Sequence, residues 1–353
     1  MNSYLRPSLN WLLVFVPFSI VAELFIHQPV LIFATSALAI VPLAGLIGSS
    51  TEQLAIRLGP SGGGLLNATL GNLTEMIVAI LLVSAGEFAV VKATLIGSIV
   101  GNLLFVLGVS FVAGGVLFKE QSFSSQSAGV HSASLFLAVA GLLIPALLVL
   151  TTPNVDFTAK EAVSAGVAFV LIVLYLAALA FTRITHAHLF HVPERGEVAT
   201  WSMSLALAVL VVAALLVGLE SEFLVSSLDP AVKQLGIPAA FVGLILIPII
   251  GNAAEHASAV LFAIKDRVDI TLEIAVGSST QIAMFVAPAL VFVSLAMGRP
   301  MDFIFTGFEV TIVALATLVF TVISVDGKSN WLEGLQLTGL YLVVAVSAYF
   351  VVA

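Results

Sequence analysis

Residues 71–106 read GNLTEMIVAILLVSAGEFAVVKATLIGSIVGNLLFV, and residues 251–286 read GNAAEHASAVLFAIKDRVDITLEIAVGSSTQIAMFV. The two stretches align without a gap at an offset of 180 residues. The alignment pairs Gly71 with Gly251, Asn72 with Asn252, Glu75 with Glu255, Gly97 with Gly277, Ser98 with Ser278 and Phe105 with Phe285. Chance matches between apolar segments would fall mostly on Leu, Val and Ala. Matches at polar and glycine positions indicate an internal repeat.

The chain around this repeat is too apolar for a water-soluble protein. Hydrophobic residues make up 60% of the 353 residues and charged residues 9%, and the mean hydropathy is +1.19. Soluble domains contain about 45–50% apolar and about 25% charged residues. Long apolar runs such as 206–217 and 312–323 suit helices of about 20 residues that cross the bilayer, whereas barrel strands alternate apolar and polar residues. The sequence predicts an all-α polytopic membrane protein and excludes a water-soluble enzyme.

Glycine, proline and charged clusters divide the chain into about eleven candidate transmembrane helices. They lie near 9–26, 30–51, 63–85, 89–117, 132–151, 162–182, 201–219, 238–264, 270–297, 303–324 and 334–353. The first copy of the repeat begins in the third candidate helix and the second copy in the eighth, and this odd separation places the two copies in opposite orientations. Helices two to six and seven to eleven would then form two inverted-topology repeats of five helices, preceded by one extra N-terminal helix. Inverted-topology repeats are typical of secondary transporters.

This arrangement predicts four regions of chain. They are an extra N-terminal helix at 1–28, a first half at 29–183 with its repeat at about 63–112, a cytoplasmic linker at 184–200, and a second half at 201–353 with its repeat at about 243–292. Eight Lys and Arg residues fall on the side of the N-terminus and four on the other side, which predicts a cytoplasmic N-terminus and an external C-terminus. The net charge of −8 gives no basic surface for nucleic acid. Homo-oligomer formation is left open.

Two glutamates are the strongest candidates for chemistry. Glu75 and Glu255 each fall well inside an apolar candidate helix, where a charged carboxylate costs roughly 2.5–3.5 kcal/mol on insertion scales. Asn72 and Asn252 precede them by three residues and so share a helix face with them. A protonated glutamic acid bonded to a nearby carbonyl is the alternative for either residue alone. The matched positions favour one shared central site.

Helix-breaking residues adjoin both glutamates. Gly71, Gly251 and Pro248 loosen the helices just before the carboxylates, and a broken helix exposes carbonyl oxygens as further ligands. Close helix packing is the alternative explanation for glycines in membrane helices. For Gly97 and Gly277 the two explanations weigh equally.

The available ligands favour a divalent cation. Besides the two carboxylates and two Asn amides, Ser98, Ser278 and Gln281 offer oxygen atoms near the repeat. Such an all-oxygen set suits calcium, whereas zinc and copper prefer nitrogen and sulfur. Two carboxylates match the charge of one divalent ion, and they also bind protons when the ion leaves. The sequence therefore predicts exchange of a cation for protons by competition, with no cofactor.

Four further residues are weaker candidates. His256 could relay protons to Glu255, although a packed neutral His is at least as good an explanation. Glu52, Glu222 and Glu273 could attract cations to the entrance, although solvated helix ends explain Glu52 and Glu222 equally well.

The same residues carry a resemblance to a known family. The segments GGLLNATLGNLTEMI at 63–77, GNAAEHASAV at 251–260 and EIAVGSSTQIAMFVAP at 273–288 resemble the two α-repeats of the calcium/proton exchangers. In the related sodium/calcium exchangers the repeats typically read G-T-S-x-P-E and G-T-S-x-P-D. Asn at the second position of both repeats favours the proton-coupled branch.

The resemblance implies a fold of eleven helices, the first dispensable to the core, and export of cytosolic calcium driven by proton entry. It assigns ion coordination and proton exchange to Glu75 and Glu255, with Asn72, Asn252 and Gln281 nearby. Family members often carry an acidic helix between the halves. Here the linker is short and holds three histidines, His186, His188 and His191. A compact chain of this kind is expected in a prokaryotic plasma membrane.

Other classes of function stay open at this point. A sodium- or manganese-linked exchanger of the same fold would use the same residues, and a passive divalent-cation channel would use them without counter-ions. An intramembrane enzyme is a distant alternative. The segment Gly59–Gly62 fits the G-x-S-G pattern of intramembrane serine proteases, but its proline and glycines predict a turn.

Overall fold

The computed structural model describes residues 9–152, 154–186 and 199–350 of the chain, and within these ranges it is almost entirely helical. The helices are α1 Leu9–Ile26, α2 Pro29–Leu70, α3 Leu73–Ala85, α4 Phe88–Phe118, α5 Ser125–Thr151, α6 Phe157–Ala180, α7 Met203–Leu235, α8 Ala239–Gly251, α9 Ala253–Ile264, α10 Val268–Ala296, α11 Gly307–Ile323 and α12 Trp331–Phe350. Two short strands, β1 Glu120–Ser122 and β2 Lys328–Asn330, pair antiparallel with Glu120 opposite Asn330. The all-α polytopic architecture is confirmed.

The number of membrane-crossing helices depends on how broken helices are counted. In the described part of the chain nine helices are long and apolar enough to cross a membrane, and the pair α8 and α9, bent by 62°, makes ten. Helix α3 is apolar but has only 13 residues. Eleven membrane crossings and the inverted arrangement of the halves therefore stay predictions.

The boundaries of two predicted helices are wrong. The sequence predicts one helix at 30–51 and the next at 63–85. In the structure α2 instead continues helically to Leu70, with one non-helical residue, Gly59 (φ 73°, ψ 180°). A positive φ of this kind suits glycine, which has no Cβ. The predicted turn is thus confined to Gly59, and the larger break falls between Leu70 and Leu73.

The helices that carry the repeat form the interior of the bundle. Most of α4 and α10 is buried, whereas only 11% of α1 is, so α1 lies at the periphery. Helices α2 and α7 pack along each other, and α3 lies against α7. Glycines allow helices to cross closely, since a Cβ on Gly108 of α4 would lie 2.9 Å from the carbonyl oxygen of Gly334 in α12. Small residues permit this approach of backbones in membrane proteins.

Candidate functional site

Both candidate glutamates follow a helix break. Asn72 (φ −107°, ψ 34°) separates α2 from α3, and Asn252 (φ −101°, ψ 10°) separates α8 from α9. Glu75 and Glu255 therefore lie in the first turn of α3 and α9, and not well inside a continuous helix as the hydropathy pattern indicates. The N-terminal end of a helix favours negative charge. Each break thus places a carboxyl group where partial positive charge from the backbone is available.

Hydrogen bonds join the two copies of the repeat. Ser278 donates its hydroxyl proton to Asn72 Oδ1 across 2.7 Å. Asn252 donates from Nδ2 to Ser98 Oγ at 3.4 Å and to the carbonyl oxygen of Pro248 at 3.0 Å. The 180-residue offset converts the first Asn–Ser pair into the second, so each Asn of one copy pairs with the Ser of the other.

The glycines before the asparagines also face the opposite copy. A Cβ built on Gly251 would lie 4.0 Å from Glu75 Oε1, and one built on Gly71 would lie 3.3 Å from Gln281 Oε1. The carboxyl of Glu75 is thereby placed against the break that precedes Glu255. Side chains from both copies come together at this point of the structure.

Several oxygen atoms at this meeting point are buried and unpaired. Glu75 Oε1, Glu255 Oε2 and Asn252 Oδ1 have no hydrogen-bond partner among the described residues. Buried polar atoms normally have partners, so these three oxygens are the acceptors that a bound cation or proton would contact. All three are acceptors, and the described residues contain no cluster of three His, Cys, Asp or Glu. Oxygen ligands of this kind fit a hard cation or protons better than a transition metal.

A cavity of about 490 Å³ reaches Glu255 and Asn72, whereas Glu75 and Asn252 do not line it. Its lining includes Glu52, Asn67, Gly71, Asn72, His131, Thr182, Glu255, Ser258, Phe262, Glu273, Gly277, Ser278 and Gln281. Gly277 borders open space, with no described atom within 4 Å of the point where a Cβ would lie, whereas a Cβ on Gly97 would lie 2.2 Å from the carbonyl oxygen of Leu244. The equivalent faces of the two copies therefore differ, one open to the cavity and the other packed.

The weaker candidates divide between the cavity and other places. Glu52 and Glu273 line the cavity, and Glu273 Oε2 lies 3.1 Å from Nε2 of His131, a residue that the sequence analysis does not identify. Glu222 is exposed on α7 and does not line this cavity, so the structure does not place it at the entrance. His256 does not line the cavity either, and its ring lies 6.0 Å from that of Phe105.

Some predictions cannot be compared with the structure. Of the linker histidines only His186 is described, because residues 187–198 lie outside the described ranges. The side chain of Ser61, on which the intramembrane-enzyme alternative depends, is not among the described side chains.

The fold and the facing broken helices define a class of protein, the polytopic membrane transporters. The chain belongs to the sodium/calcium exchanger protein family, whose model matches residues 28–183 and 205–350.

Individual relatives agree with this membership. The chain is 44% identical to the Ca(2+)/H(+) antiporter of Synechocystis sp., with 96% of each chain aligned. It is 39% identical to the Ca(2+)/H(+) antiporter ChaA of Bacillus subtilis, over 95% of this chain and 96% of that one. The solved structure of native YfkE superposes with a TM-score of 0.85 at 36% identity, covering 98% of this chain and 100% of that chain. The predicted resemblance to the calcium/proton exchangers is confirmed.

Proposed function

We propose that the protein is a secondary active transporter that exchanges calcium for protons, with both competing for Glu75 and Glu255. The observation that carries the proposal is the set of buried, unpaired oxygens contributed by both copies of the repeat. Several relatives bear the name Ca(2+)/H(+) antiporter, and this supports the same pair of ions.

The chemistry of competition follows from the ligands. Calcium takes six to eight oxygen ligands in flexible geometry, and two carboxylates, the amide oxygens of Asn72, Asn252 and Gln281, and cavity water supply oxygens of this kind. Two negative charges balance one divalent ion. When the ion leaves, charged carboxylates among apolar helices are unfavourable, so protons replace it. The exchange of cargo therefore needs no resident cofactor and no enzymatic step.

The position of the cavity supports alternating access. Two residues of its lining, Glu52 and Phe262, lie a few positions before Arg57 and Lys265 in the chain. The distribution of basic residues assigns this Arg and Lys to the cytoplasm. On that assignment the site is open to the cytoplasm. A second state would close this cavity and separate Gly97 from α8.

Other contacts hold the opposite end of the bundle together. Lys92 of α4 forms an ion pair with Asp302 and donates to the carbonyl oxygen of Ile304. Phe303, in the same connection before α11, is fully buried. These contacts close the face that would open in the second state. In a prokaryotic plasma membrane with the N-terminus in the cytoplasm, the cycle would export calcium as protons enter.

The test is calcium uptake into liposomes under an imposed proton gradient. Purified wild-type protein would be compared with Glu75→Gln and Glu255→Gln, which keep side-chain size but remove the charge and the titrating group. Glu222→Gln is the matched control, because Glu222 is exposed and away from the cavity. We expect gradient-driven uptake in the wild type and the control and its loss in both site variants.

Two outcomes would contradict the proposal. Retained uptake in either site variant would exclude the shared site. Uptake indifferent to the proton gradient would exclude proton antiport, and replacing it by a sodium gradient, with manganese as competing ion, would then separate a sodium- or manganese-linked exchanger from a channel.

A further inference from the structure

A third glutamate is buried in the membrane-spanning region, away from the cavity. Glu220 lies at the middle of α7 and is 0% exposed. It faces the peripheral helix α1, where Ser19 Oγ lies 2.7 Å from Glu220 Oε1. The 180-residue offset pairs Glu220 with Ile40, so the first half has no equivalent carboxyl. Glu220 is therefore no part of the duplicated site.

The surroundings of Ser19 indicate which group carries the proton. Ser19 Oγ also lies 2.8 Å from the carbonyl oxygen of Val16, which can only accept a hydrogen bond. A serine hydroxyl has one proton to donate and two lone pairs with which to accept. Both short contacts are satisfied when Ser19 donates to Val16 and accepts a proton from the carboxyl of Glu220. That arrangement requires Glu220 to be a carboxylic acid.

An ionised Glu220 would lack a charged partner. Its Oε2 has no hydrogen-bond partner among the described residues. Ser36 of α2 interacts with the carboxyl without good hydrogen-bond geometry. Helices α1, α2 and α3 pack against α7, and none of their charged residues or those of α7 itself is an electrostatic partner of Glu220 in the described structure. Those residues are Glu23, Glu52, Arg57, Glu75, Glu222, Asp229 and Lys233.

A buried glutamate elsewhere in the chain shows the opposite pattern. Glu309 is 6% exposed, and its Oε2 accepts from the backbone N–H of Thr306 at 2.8 Å and from the Thr306 hydroxyl at 2.9 Å. Two donors directed at one carboxylate oxygen stabilise the ionised form. Glu309 therefore serves as an internal comparison, a buried carboxyl that accepts two hydrogen bonds.

We propose that Glu220 is a proton-binding site within the membrane, separate from the exchange site, and that its proton is donated to Ser19 and fastens α1 to α7. The extra N-terminal helix, which the family resemblance describes as dispensable to the core, would thus be held against α7 by a neutral hydrogen bond while Glu220 is protonated. On loss of the proton the Ser19 hydroxyl turns from Val16 to the carboxylate, but the buried charge has no charged partner and favours entry of water, which loosens α1 from the α2–α7 pair.

The direct test is infrared spectroscopy of the protein in phospholipid vesicles at neutral pH, in a Glu75→Gln/Glu255→Gln background that removes the exchange-site carboxyls. We expect Glu220→Gln to remove the carbonyl band of one carboxylic acid per chain, and the control substitution Glu222→Gln, on the exposed face of the same helix, to leave it. Ser19→Ala should keep the band and move it to higher frequency, because the acid loses its acceptor. No transport is measured, so the result is independent of the proposed function.

Two results would overturn the proposal. An unchanged band in Glu220→Gln would mean that Glu220 is ionised, and a band unmoved by Ser19→Ala would mean that the proton is not donated to Ser19. If the background variant fails to fold, a second measurement decides the same point. The chain has no cysteine, so spin labels at Phe25→Cys and Lys233→Cys report the α1–α7 distance. The distribution of this distance should broaden at alkaline pH in the labelled wild type and not in labelled Glu220→Gln. Equal broadening in both would exclude attachment of α1 through Glu220.

Discussion

Single hydrogen bonds decide how the two copies of the repeat meet. Ser278 and Ser279 are neighbours on α10 with different partners: Ser278 donates to Asn72 of the other copy, whereas Ser279 donates to the carbonyl oxygen of Ala275 in its own helix. Only the first of these bonds orients a predicted ligand. The two serines therefore form a natural pair of test and control.

We expect Ser278→Ala to weaken calcium binding by about fivefold, because the Asn72 amide loses the partner that orients it and a hydrogen bond of this kind contributes about 1 kcal/mol. Ser279→Ala should bind like the wild type. Radiolabelled calcium binding to purified protein measures both. Equal affinity in Ser278→Ala and wild type would mean that Asn72 is not a ligand or needs no orientation.

Individual site residues are both the best and the worst predicted features of the sequence. Self-alignment pairs Asn72 with Asn252 and Glu75 with Glu255, because both copies retain these residues at one offset. Glu220 was missed and Glu222 was named instead, since both lie in one long apolar helix and only the packing of α1 and α2 determines which face is buried. His131 was missed because its partner Glu273 lies 142 residues away.

At the scale of helices, irregular geometry recurs in matching places. Both copies of the repeat contain a π-helical segment, Gly101–Val106 in α4 and Ile282–Val286 in α10. Segments of this type are frequent at functional sites. Glycine and proline composition predicts the breaks before Leu73 and Ala253, but it carries no signal for π-helical turns. These depend on how each helix packs against its neighbours.

The contact of α4 with α8 gives a second prediction. Gly97→Ala should lower the free energy of unfolding by about 1–3 kcal/mol, the usual effect of overpacking, because its Cβ would lie 2.2 Å from the carbonyl oxygen of Leu244. Gly277→Ala, the matched position beside the cavity, should be as stable as the wild type or slightly more so, since Ala favours helix. Equilibrium unfolding in detergent measures both. Equal losses in the two variants would mean that the faces do not differ in packing.

For the protein as it lies in the membrane, we expect the cavity to make the ion-binding site accessible from one side of the membrane only. A membrane-impermeant thiol reagent should label Ser258→Cys, in the cavity wall, from the cytoplasmic face, and Lys233→Cys from the opposite face. The native chain has no cysteine, so each label reports one position. Calcium should protect Ser258→Cys. Labelling of Ser258→Cys from outside only would reverse the predicted orientation.

The crosswise Asn–Ser pairs bear on how such a molecule could have arisen. Contacts in which residue i of one part meets residue j of the other, and j meets i, are those of an isologous dimer. A half-length chain with one Asn and one Ser could form both pairs with a second copy of itself, provided that the copies insert in opposite directions. Fusion of two such genes would then preserve the site while allowing each half to change alone. The unmatched Gln281 and Glu220 are differences of the kind that such independence permits.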